Sequence, residues 1–112
     1  MKKTTQNLLT RLCVPAHLMG YEYLADAIEM VSEDKNCIHC ITKTIYPAIA
    51  KKYGVSSGAI ERNIRTVVTH SFENMPSELK CELFGCSFFP GKRKPANSHY
   101  IATVAQLLEE TK

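Results

Sequence analysis

Along most of the chain, apolar residues recur every three to four positions, the period of a helix with one buried face. Residues 4–12 carry Leu8, Leu9 and Leu12 on such a stripe, and Pro15 and Gly20 interrupt it. A longer stripe over residues 21–32 holds Tyr23, Leu24, Ala27, Ile28 and Val31, with Glu22, Asp26, Glu29 and Glu33 opposite. Asp34-Lys35-Asn36 reads as its exit turn. Residues 38–53 are again helical in period. Pro47 lacks a backbone donor and is best placed in a first turn, so a second piece is expected to begin near Ile45 or Tyr46.

Tyr53-Gly54-Val55 predicts a tight turn, with Gly54 suited to a left-handed conformation. Ser56 or Ser57 then caps a helix running to about Phe72, its inward face made by Ile60, Ile64, Val67 and Val68. A weaker helix is expected over residues 77–84, ended by Gly85. Residues 87–96, with Pro90, Gly91 and Pro95, predict a loop. Asn97 or Ser98 would cap a last helix bearing Ile101, Val104, Ala105 and Leu108. No segment alternates as a strand does, so the expected fold is all-α, a bundle of about six helices.

Composition agrees with a folded chain: 112 residues, 45% hydrophobic and 22% charged, with no repeat or long linker. One domain over residues 1–112 is expected. No run approaches the ~18 apolar residues of a membrane span. The basic start Met1-Lys2-Lys3 is not followed by the apolar stretch of an export signal, so a cytoplasmic chain away from membranes is expected.

The net charge of +3 gains meaning only when the charges are placed. Residues 22–34 hold five acids and no base. Residues 36–72 hold Lys43, Lys51, Lys52, Arg62 and Arg65 against Glu61 alone, and Lys92, Arg93 and Lys94 follow in the later loop. Basic groups clustered this way suit phosphates, whose neutralisation releases counterions; a solvated surface helix also carries runs of one sign.

Ala50, Gly54 and Ile60 stand as A-x3-G-x5-I. A helix-turn-helix needs a small residue where two helices meet, a glycine in the turn and an aliphatic residue locking the second helix to the first. Ile49, Val55 and Ile64 would add apolar contacts. Arg62 and Arg65, three apart, share a face near the N-terminus of the second helix, with Glu61, Thr66 and Thr69 also off the apolar stripe. From there arginine can bond guanine O6 and N7 bidentately. Glu61 either accepts from a cytosine amino group or orients an arginine. A core hairpin with a solvated outer face fits the same spacing, and the bipolar charge decides for DNA.

These residues resemble a known family. Val14-Pro15-Ala16-His17-Leu18-Met19-Gly20-Tyr21, Tyr23-Leu24, Ala27-Ile28, Thr42-Lys43, Tyr46-Pro47, Ile49-Ala50-Lys51-Lys52-Tyr53, Ile60-Glu61-Arg62, Ile64-Arg65, Pro95-Ala96-Asn97-Ser98, Ile101-Ala102 and Val104-Ala105 resemble, in order and spacing, the DNA-binding effector domain of the stage 0 sporulation protein A family. The resemblance implies a six-helix domain that binds a TGTCGAA-like box, often as head-to-tail dimers on tandem sites, and regulates transcription at the start of sporulation. It places base reading on Glu61, Arg62 and Arg65. Phosphate contacts would fall around Lys43, at Ser56 and Ser57, and in the basic loop with Lys92, Arg93 and Lys94; Lys51 and Lys52 are added from charge. Residues 73–93, which in the family serve dimer contact and the surface that meets RNA polymerase, match least well. The family domain normally follows a phosphoacceptor receiver, for which 112 residues leave no room. Either an excised effector domain or a stand-alone homologue is implied, and the Met1-Lys2-Lys3-Thr4 start favours the latter. An alternative function is a divergent homologue that acts as a protein-interaction module on a full-length regulator.

Other chemistry is poorly supported. Cys37-Ile38-His39-Cys40 is a C-x2-C, but Cys81 and Cys86 are C-x4-C, half of a zinc spacing. No metal or other cofactor is expected, and reduced thiols are expected for Cys13, Cys37, Cys40, Cys81 and Cys86. His17 is expected to cap or pack. No Ser-His-Asp order, phosphate-cradling glycine loop or paired carboxylates appear, so catalysis is not expected.

Overall fold

The computed structural model describes residues 3–85 and 95–111. Among them the chain forms six α-helices and no strand: α1 (Lys3–Arg11), α2 (Gly20–Glu33), α3 (Tyr46–Tyr53), α4 (Ser57–Asn74), α5 (Ser77–Phe84) and α6 (Asn97–Thr111). The all-α expectation is met. Its boundaries shift little, the largest change being α4, which runs two residues past Phe72.

The segment expected to be one helical piece before Tyr46 is instead a 3-10 helix over Lys35–Cys40 followed by a π turn over Ile41–Ile45. Asp34 starts it by accepting the Asn36 N–H on Oδ1, 3.1 Å. Pro47 then sits in the first turn of α3, where its missing donor leaves nothing unpaired.

Helix α2 is the spine. Its Tyr23, Leu24, Ala27, Ile28 and Val31 are all buried, as their spacing predicts, together with Leu8, Leu9 and Leu12 near α1. Ile60, Ile64, Val67 and Val68 of α4 and Ile101, Val104, Ala105 and Leu108 of α6 close the same core. Gly20 lets α2 touch α4: a Cβ there would stand 2.1 Å from the Asn63 carbonyl oxygen. Ser71 donates to the Leu12 carbonyl at 2.7 Å and shares a 2.6 Å hydrogen bond with the Tyr100 hydroxyl, tying α4 to the end of α1 and to α6. Phe84 docks α5 by stacking on Tyr100 and meeting Phe72 edge-on, both at 5.7 Å.

Three expectations are corrected. Val55 is 39% exposed, so it does not join Ile49 and Ile64 between the helices. His17 is exposed and does not pack. Cys81 is disulfide-bonded, so among the described residues only Cys13, Cys37 and Cys40 are free thiols. The expected loop over residues 87–96 lies outside the described residues save Pro95 and Ala96, as do Lys92, Arg93 and Lys94.

Candidate nucleic-acid interface

The turn between α3 and α4 is built as its sequence requires. Gly54 takes φ 68° and ψ 35°, and both its own N–H and that of Val55 return to the Ala50 carbonyl. This is the left-handed glycine closure of a helix end, cheap only without a Cβ. Ser56 then caps α4, its Oγ accepting the Ala59 N–H at 3.1 Å. Ala50 and Ile60 are buried on either side of the turn, so the A-x3-G-x5-I residues are brought together as expected.

On the outer face of α4, Arg62 and Arg65 are exposed and Glu61 is half-buried. The Glu61 carboxylate pairs with the Arg65 guanidinium one turn on. An ion pair of this kind is what the second reading of Glu61, orienting an arginine, requires, with Arg65 as the arginine. Arg62 lies back over the first turn, its Nη1 3.7 Å from where a Cβ on Gly58 would stand. Thr66 and Thr69 donate to the carbonyls of Arg62 and Arg65, at 3.1 and 2.8 Å, so their hydroxyl protons serve the helix.

An open groove of about 710 Å³ runs beside this face. It gathers Glu61, Arg65 and Ser57 with Thr42, Tyr46 and Asn97, from three stretches far apart in the chain. Lys43, on the π turn, and Lys51, near the end of α3, are exposed. Lys52 is placed apart. It pairs with Asp26 of the acidic α2 face at 3.1 Å and lies 5.3 Å from the centre of the Tyr53 ring. Tyr53 donates to the same carboxylate at 2.7 Å. Lys52 thus has part of its charge neutralised before any phosphate arrives.

Sequence reasoning placed neither Tyr46 nor Asn97 in this site, and named Asn97 only as a helix cap. Tyr46 is buried and its hydroxyl accepts from the Asn97 side chain at 3.2 Å. Burial pushes the Tyr46 phenol above its ordinary value, while the Asn97 hydrogen bond and the positive Arg65 nearby act the other way. A chemical signal could have linked them: a buried tyrosine must find a partner for its hydroxyl. Among the described residues, no three His, Cys, Asp or Glu side chains are grouped to share a metal ion. No described helix is long and apolar enough to cross a membrane.

A capped helix entering from a glycine turn, with exposed arginines in its second and third turns, defines a helix-turn-helix DNA-binding protein. Residues 5–108 match the family described as Sporulation initiation factor Spo0A C terminal. The chain belongs to this family, and so to the DNA-binding effector domains of sporulation transcription regulators.

Proposed function

We propose that the chain is one DNA-binding unit that reads a TGTCGAA-like box from the major groove with the first three turns of α4. The observation that carries the reading is the Glu61–Arg65 pair, beside the exposed Arg62 on a capped helix behind a glycine turn. A carboxylate accepts from cytosine N4 and a guanidinium donates to guanine O6 and N7, so a linked Glu-Arg pair suits a neighbouring cytosine and guanine. Arginine has five N–H donors, and its pair with Glu61 leaves others for a base. Arg62 takes a second base.

Lys43, Lys51, Ser56 and Ser57 hold the backbone, and so do Lys92, Arg93 and Lys94, which precede α6 in the sequence. The N-terminus of α4 adds a partial positive charge. Lys52 contributes least, because its pair with Asp26 must loosen first. On tandem boxes two copies sit head to tail, and the regulated step is contact with RNA polymerase. This role places the chain in the cytoplasm with its DNA, and it calls for no catalysis and no cofactor.

Two alanine variants separate base reading from phosphate holding. Arg65→Ala should lose about 1–3 kcal/mol on the box and discriminate less among sequences. Lys43→Ala should weaken box and scrambled duplex alike, with a shallower salt dependence. Undiminished box binding by Arg65→Ala would remove α4 from the reading role.

A further inference from the structure

Asn97 opens α6, yet its side chain serves other helices. Its Nδ2 donates to the Tyr46 hydroxyl and to the Glu61 backbone carbonyl, each at 3.2 Å. A carboxamide nitrogen carries two protons, so both are used. The Glu61 carbonyl already receives the Arg65 N–H by the helical pattern, and Asn97 takes its second lone pair. Glu61 is therefore held at its backbone by α6 while its carboxylate holds Arg65. Tyr46 is the first residue of α3 and is buried, which makes it a firm anchor for the third corner.

We propose that Asn97 is a positioning residue for sequence recognition, a latch that sets the rotation of α4 so that the Glu61–Arg65 pair meets the groove in one pose. The proposal rests on the reading of α4 as the base-contacting helix. Its consequence is selective. Attraction to phosphates is long-ranged and tolerates small displacements, whereas a bidentate arginine–guanine contact fails when the helix turns slightly. Loss of the latch should therefore lower specificity and leave non-specific affinity standing.

Asn97→Ala removes both hydrogen bonds without changing charge, at a first-turn position where alanine is a good helix former. Binding is read by fluorescence anisotropy on a TGTCGAA-containing duplex and on a scrambled one, with the thermal midpoint followed in parallel. The expected result is about a tenfold loss on the box with scrambled binding within roughly twofold. Tyr46→Phe, which deletes only the acceptor hydroxyl, should lose about threefold on the box alone. It also carries the test should Asn97→Ala fold poorly. The double variant should match Asn97→Ala, because the Tyr46 contribution runs through Asn97. Equal weakening of both duplexes, additivity in the double variant, or unchanged box binding would each overturn the latch. A wild-type chain that shows no preference for the box would fail the DNA reading itself, and the latch with it.

Discussion

Thr5 is fully buried in α1, and its hydroxyl has no hydrogen-bond partner among the described residues. A buried hydroxyl without a partner forfeits its hydration, and valine fills the same shape without that cost. Thr5→Val should therefore raise stability by about 1 kcal/mol, read as a higher denaturant midpoint at unchanged slope. Single residues were legible in the sequence where their role is local. Gly54 could be placed because a glycine after a helical stripe and before a serine implies a left-handed turn, and it adopts one. Ser56 could be named, with Ser57, because capping depends on residues three apart. Asn97 was legible only as a cap. Its partners lie 36 and 51 residues back, and no local rule reaches that far.

At the scale of elements, periodicity located α1, α2, α4 and α6 and their inward faces, since each buries a single stripe against the core. It missed the 3-10 and π turns over residues 35–45, whose spacing still resembles a helix over so short a run. How helices meet was also hidden. Gly20 reads in the sequence as a break before a helix, but its place is against the Asn63 carbonyl of α4. Gly20→Ala would put a methyl group 2.1 Å from that oxygen, and backbone must move. We expect a loss of about 1–3 kcal/mol in stability, measured by chemical denaturation. The shift falls on α4, the helix proposed to read bases, so box binding should drop more than scrambled binding.

Across the whole molecule, two properties are collective. Tyr53 and Tyr100 sit well above their ordinary phenol values, both by burial first; the Asp26 hydrogen bond raises Tyr53 further, while the Ser71 bond partly offsets burial at Tyr100. The folded chain thus holds these protons more tightly than the unfolded one. Their stabilisation is complete below the unfolded value of about 10 and is lost as pH rises through the folded values. Denaturant midpoints should fall above about pH 10, and Tyr53→Phe should flatten that fall.

The second collective property is the separation of charge: an acidic α2 face, and basic groups on the π turn, α3 and α4. This is what the sequence made plainest, because charge can be placed before any contact is known. The central claim, that this basic side binds DNA and α4 reads its sequence, is tested most directly by one titration. Wild-type chain is bound to a TGTCGAA-containing duplex and to a scrambled duplex at low and moderate salt. With about five phosphates neutralised, a fourfold rise in salt should weaken both by roughly a few hundredfold while the preference for the box persists. Binding indifferent to salt, or equal on the two duplexes, would contradict it.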